Sequence, residues 1–226
     1  MDAALAKQHP FEYIHQIDLI LNILAVGAHP DDIEFGCFAT LAKLCDTNRL
    51  RFIIFTSGGT SGSPAIRENE ARASAGLIRA DTVFLKLEDG ALTKNGKTVD
   101  MLRKEIYDFK PQIVFAPYFD DSHQDHCTVA DILISSWRLV SACLFYETPS
   151  TMNFEPNMYV DVTNSFEKKV DAISQFKSQS HKPYTDMALV RAIAQYRAWQ
   201  CYRRNGLMEG FRVFKIVLSG DSILGI

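Results

Sequence analysis

Residues 19–36 read LILNILAVGAHPDDIEFG. The first ten, Leu19 to Ala28, are apolar apart from Asn22. They run on without alternating, which is the pattern of a strand buried on both faces. The run is too short to span a bilayer, which takes about 20 apolar residues. It also lacks a basic flank and a small-residue cleavage site, since Asp18 precedes it and His29 follows. Similar runs recur at Arg51–Ser57, Thr82–Leu87, Gln112–Pro117 and Cys143–Glu147. Helical spacing fills the gaps: Gly36–Cys45, Arg67–Arg79, the set Met101, Leu102, Ile106 and Phe109 ending before Pro111, and a stretch through Val129 and Leu133. Strands alternating with helices predict an α/β fold, a parallel sheet with helices on both faces.

The C-terminal third changes character. A short strand at Met158–Val162, an amphipathic helix through Phe166, Val170 and Ile173, a longer helix at Asp186–Arg204 and a last strand at Phe211–Leu218 form a helical and strand extension of the same domain. Residues 1–18, of mixed polarity and containing Pro10, read as an N-terminal extension, and 19–226 as one domain.

Composition narrows the functional classes. With 47% hydrophobic residues, 15 Phe and 8 Tyr among 226 residues, the chain is not disordered as a whole. A net charge of −3 and a pI near 6.1 argue against nucleic acid or an anionic membrane as partner. Five scattered cysteines without a C-x-x-C pair argue against a disulfide framework and for a reducing compartment, so a cytoplasmic location is expected.

Two polar clusters sit just beyond buried strands. Ala28–Glu34 (AHPDDIE) follows the first, and Asp120–His126 (DDSHQDH) follows the fourth. Together they hold three of the chain's six histidines. In an open parallel sheet, ligands bind beyond the carboxyl ends of the strands, where the strand order reverses. With the common order 3-2-1-4-5 the two clusters share one crevice. Imidazole and carboxylate donors suit zinc, and a catalytic zinc keeps three protein ligands and one open position. His29 and Asp32, three residues apart, and His126 can supply those three. The remaining acids and His123 are then free for proton transfer, which is the equipment of hydrolysis. The plainer alternative is that Asp31 or Asp32 merely caps a helix.

The set GAHPDDIEFG, then a Gly/Ser loop with R-x-x-E-A, then FAPYFDDSHQDH resembles the LmbE-like / PIG-L family of zinc-dependent N-deacetylases. Its texture is nearest to the bacterial branch acting on N-acetylglucosamine conjugates, such as the bacillithiol-pathway deacetylases. The resemblance spans Asn22 to Leu218 and implies a Rossmann-like fold, one zinc per chain, and a small amino-sugar conjugate as substrate. It also implies a homo-oligomer. Residue by residue, it implies His29, Asp32 and His126 as zinc ligands and Asp31 as general base. His123 would stabilise the oxyanion or protonate the departing amine, paired with Asp125. Arg67 and Asp121 would contact substrate. Gln124 departs from the more usual H-P-D-H without removing a ligand.

Rival readings are weaker. SGGTSGSP can cradle a phosphate, but it lacks the P-loop G-K-[ST], and G-x-G-x-x-G is absent. Ser57 and Ser61 have no nucleophile-elbow context. Cys127 reads as a buried helix residue, His181 as a loop residue, His9 and His15 as solvated, and Trp137 and Trp199 as packing residues. An amidase for a larger acyl group, an Fe(II) oxygenase with the same ligand types and a non-catalytic sugar- or metal-binding module complete the alternatives.

Overall fold

The computed structural model describes residues 20–217, so the predicted extension 1–18, with His9 and His15, and Leu218 lie outside the described residues. Strand β1 (Asn22–Gly27) leads into two short helices, α1 (Asp32–Gly36) and α2 (Phe38–Leu44). Next come β2 (Arg49–Thr56), α3 (Pro64–Gly76), β3 (Asp81–Leu87), α4 (Gly96–Phe109), β4 (Ile113–Pro117), α5 (Gln124–Ile134) and β5 (Ala142–Tyr146). The described residues continue with β6 (Met158–Asp161), α6 (Phe166–Ile173), α7 (Met187–Gln200) and β7 (Met208–Ile216).

The strands form one sheet in the order β3-β2-β1-β4-β5-β7-β6. β1 to β5 are parallel; β7 joins β5 antiparallel, and β6 pairs antiparallel with β7. The C-terminal extension therefore widens the same sheet. Successive β1 residues serve opposite faces. Ile23 and Ala25 pack with Phe38, Leu41, Phe52 and Phe211, while Leu24 and Val26 pack with Leu102, Ile106, Val129 and Phe145. Fully burying one such side chain contributes roughly 1.5–3 kcal/mol, so two-sided burial pins the strand's register. The chain runs outward from β1 through β2 and β3, then returns to β4 on the other side. The ends of β1 and β4 thus flank the reversal point.

The predicted helix Gly36–Cys45 is α2, and a short helix α1 that was not predicted precedes it, the two separated at Cys37 (φ −142°). The Glu209 carboxylate accepts from the backbone N–H groups of Ala39 (3.2 Å) and Thr40 (2.8 Å), capping α2 afresh. The buried Lys169 ammonium pairs with Glu209 at 2.7 Å and donates to the carbonyl of Phe35 at the end of α1. Helix α7 stops at Gln200, with Tyr202 in the left-handed region (φ 57°), so Arg203 and Arg204 lie beyond it. Trp137 is half-buried, but Trp199 is 68% exposed and stacks on Tyr196, so it is not a core residue. Among the described residues no helix is long and apolar enough to cross a membrane.

Candidate metal centre

Both clusters meet beyond the ends of β1 and β4. Thr56 helps to fix the first loop, because its backbone N–H and its hydroxyl both donate to the carbonyl of Ala28. Pro30 and the left-handed Asp31 (φ 105°) turn the chain, and α1 begins at Asp32. Asp32 Oδ2 accepts from the N–H groups of Ala28 and His29, each at 2.8 Å. That bond pair fixes the carboxylate. His29 Nδ1 lies 3.5 Å from Asp32 Oδ2, and His126 Nε2 lies 3.2 Å from Asp32 Oδ1. The proposed ligand residues are therefore brought together, and all three are buried.

The outer nitrogens of both histidines face carboxylates. His29 Nε2 lies 3.1 Å from Asp89 and 3.2 Å from Asp125, and His126 Nδ1 lies 3.1 Å from Asp121 Oδ2. A carboxylate behind each imidazole is the arrangement that orients metal-ligating histidines. His126 Nε2 is buried without a hydrogen-bond partner, as a nitrogen whose lone pair serves an ion would be. Burial alone would lower the imidazole pKa values. The Asp32 charge and the flanking carboxylates reverse that, pushing His29 up to about 12 and His126 to about 9. The pocket calls for positive charge at its centre, which a divalent cation would supply in place of the ring protons. The residues fit a metal.

A third imidazole, His123, offers a ring nitrogen within 4.8 Å of those of His29 and His126. His123 is the N-cap of α5, and its Nδ1 accepts from the Asp125 N–H at 3.3 Å. Burial and the neighbouring imidazoles lower its pKa. A neutral ring with its proton on Nε2 satisfies this geometry. The Asp125 carboxylate, expected to pair with His123, turns to the N–H groups of Gly90 (2.8 Å) and Leu92 (3.2 Å) and to His29.

Asp31 stands beside the three donors. Its Oδ1 pairs with Arg67 Nη2 at 3.1 Å, and Oδ2 is buried without a partner. Burial raises its pKa, against the pull of Arg67, to about 7, the range suited to a general base at neutral pH. Arg67 also donates to the carbonyls of Pro30 and Gly58, and its side chain is only 4% exposed. Its two terminal nitrogens hold Asp31 and the loop, while its Nε is buried without a partner. Gly58 (φ 67°) is needed there, because a Cβ would fall 2.2 Å from Arg67 Nη1. Asp121 accepts from the N–H of His123 through Oδ1 (2.8 Å) and, through the Oδ2 that faces His126, from the hydroxyls of Thr148 and Thr151 (2.9 Å each), so it orients the second cluster.

Sequence reading missed Asp89 and Tyr184. Asp89 follows the end of β3 and precedes Gly90, an acid beyond a parallel strand like those in the two recognised clusters. Thr60 of the Gly/Ser loop holds it through its N–H (2.8 Å) and hydroxyl (2.6 Å). Tyr184 stacks edge-on against Phe35, with Asp31 close enough to help raise its phenol pKa after burial. Ser57 is held by Glu68 and Cys127 by the carbonyl of Asp121, so neither is placed as a nucleophile. A separate cavity of about 990 Å³, bordered by Lys43, Lys168 and Arg203, contains no imidazole and none of these residues.

The fold is a seven-stranded, mostly parallel α/β sheet with an acid–imidazole pocket at its reversal point, and its donors are of the kinds that can hold a divalent cation. The PIG-L family, described as GlcNAc-PI de-N-acetylase, matches residues 24–137. A protein of Escherichia coli (strain K12), described as uncharacterized deacetylase YaiS, is 33% identical over 168 residues, covering 70% of this chain and 91% of the relative. The chain belongs to the PIG-L / LmbE-like deacetylase family. Among solved structures, the N,N'-diacetylchitobiose deacetylase of Pyrococcus horikoshii superposes with a TM-score of 0.78 at 24% identity, covering 90% of this chain and 87% of the other. GalB, the 4-carboxy-2-hydroxymuconate hydratase of Pseudomonas putida KT2440, superposes with a TM-score of 0.77 at 17% identity, covering 90% and 100%. The fold alone thus accompanies more than one reaction.

Proposed function

We propose that this chain is a zinc-dependent hydrolase that removes the N-acetyl group of an N-acetylglucosamine-type amino sugar in a small conjugate. The observation that carries the reading is the convergence of His29, Asp32 and His126 beside the unpartnered Oδ2 of Asp31. A divalent cation held by those three residues supplies Lewis-acid activation of water and of the amide oxygen. Asp31 Oδ2 takes the proton of the attacking water and returns it to the amine nitrogen as the C–N bond breaks, leaving acetate and a free amine. Arg67 keeps Asp31 oriented throughout. His123 presents its Nε2–H to the oxygen on which negative charge develops.

The test is acetate release from a panel of N-acetylglucosamine conjugates by zinc-loaded protein, with Asp31→Asn as control. Acetate formation that the control loses supports the reading. Release of only a longer acyl chain from N-acyl analogues, or no release at all, overturns it.

A further inference from the structure

The loop after β5 packs its hydroxyls around the outer side of His126 and its carboxylate partner Asp121. Its hydroxyls surround Asp121 Oδ2. Thr148 and Thr151 each donate at 2.9 Å, and the Ser150 hydroxyl lies 3.3 Å from His126 Nδ1. Since the carboxylate already accepts from two hydroxyls and from the N–H of His123, it can only accept from His126 as well. The ring proton is thereby placed on Nδ1, leaving the Nε2 lone pair for the metal side.

The loop is itself clamped from the far end of the chain. Arg197 on α7 grips Glu147, the residue after β5, through Nε (2.8 Å) and Nη2 (2.6 Å). Arg197 is 7% exposed; its guanidinium lies over Phe154, which packs edge-on against Tyr118 at the end of β4. Backbone bonds complete the seat: Ser122 N–H to the Ser150 carbonyl, and Met152 N–H to the Asp120 carbonyl.

We infer that the Thr148 and Thr151 hydroxyls, seated by the Glu147–Arg197 pair, act as positioning residues that set the tautomer of His126 and thereby the metal affinity of the site. The inference rests on the ligand set of the proposed function. Outer partners of a metal-bound histidine typically govern 10–100-fold of affinity.

The experiment compares the full-length protein with Thr148→Val/Thr151→Val, which keeps volume and removes both hydroxyls, and with Thr148→Ser/Thr151→Ser, which restores them. Zinc affinity is read by competition with a fluorescent chelator, and apo-protein melting is read separately. Expected are a 10–100-fold weaker zinc affinity in the valine pair, near-normal affinity in the serine pair, and at least a several-fold loss in Arg197→Met. Unchanged affinity in the valine pair overturns the inference. So does a serine pair as weak as the valine pair, which would show a packing effect. A His126→Ala variant that still binds zinc normally would instead defeat the ligand assignment itself.

Discussion

Arg67 Nη2 lies 3.1 Å from Asp31 Oδ1, and both side chains are buried. The pair joins the helix after β2 to the turn after β1, and it decides how basic Asp31 is. Burial lifts the carboxyl to about 7 while the guanidinium holds it down. Removing the cation, as in Arg67→Met, must raise it further. Asp31 serves as a base only when ionised, so the acid limb of the pH–rate profile moves to higher pH and turnover at pH 7 falls roughly tenfold or more. An acid limb that stays in place would separate the two residues functionally.

Asp31→Asn keeps the shape and the Arg67 contact but cannot accept the water's proton. The variant is expected to retain about one zinc per chain, because the proposed donors are His29, Asp32 and His126. Its kcat should fall by about 10²-fold or more. Near-normal turnover would sink the base assignment, and lost zinc would move Asp31 into the ligand set.

His123→Ala is expected to keep zinc and KM while kcat falls on the order of 10²–10³-fold, since in the proposed function its Nε2–H meets charge that develops only in the transition state. A neutral ring that caps α5 through Nδ1 does not need deprotonation to be switched off, so the alkaline limb should be the same in variant and wild type. Loss of zinc would identify His123 as a ligand.

The fold and the meeting of the two polar clusters were legible because they are written in local pattern, while the ligand set remains part of the proposed function. Leu19–Ala28 and Gln112–Pro117 are continuous apolar runs, and polar clusters directly after such runs land at strand ends. Partnerships were not legible. Asp125 and His123 are near in sequence, yet the carboxylate turns to Gly90 and Leu92 because those N–H groups come from a loop 33–35 residues away. Asp121 Oδ2 is held by hydroxyls from a loop about 30 residues on. Arg67 could be matched to a motif, but the burial that commits it to Asp31 depends on the turn at Gly58. The break at Cys37 was equally hidden, since the cap of α2 comes from Glu209 in the last strand.

Gly36→Ala tests the packing beneath the first cluster. A Cβ there would meet the ring of Tyr146 at 2.0 Å, and that ring is held by its hydroxyl donating to the Val26 carbonyl at 2.7 Å. Neither side can yield without shifting β5 or α1. Overpacking of this kind typically costs about 1–3 kcal/mol, and a buried ring with a fixed hydroxyl puts this site at the upper end or beyond. Urea unfolding should show the loss. Wild-type stability would mean that α1 moves freely against the sheet.

Glu34 adds a pH-dependent contribution to stability. It is fully buried in α1, with Oε1 accepting from the Ser74 hydroxyl at 2.6 Å and Oε2 without a partner. Burial pushes its carboxyl up to about 8, from an ordinary value of 4.5. Between those values the folded protein holds a proton that the unfolded chain releases, so this group's contribution falls as pH rises from 4.5 through 8. Below 4.5 both states are protonated and Glu34 imposes no penalty. Above 8 the folded state must bury a charge, at a cost on the order of a few kcal/mol. Glu34→Gln keeps an acceptor for Ser74 and has no proton to lose. Its stability relative to wild type should therefore be close at pH 5 and should rise by a few kcal/mol toward pH 9. Urea unfolding of both proteins across that range measures the difference directly. Parallel stability curves for the two would show that Glu34 is not the group whose ionisation opposes the fold.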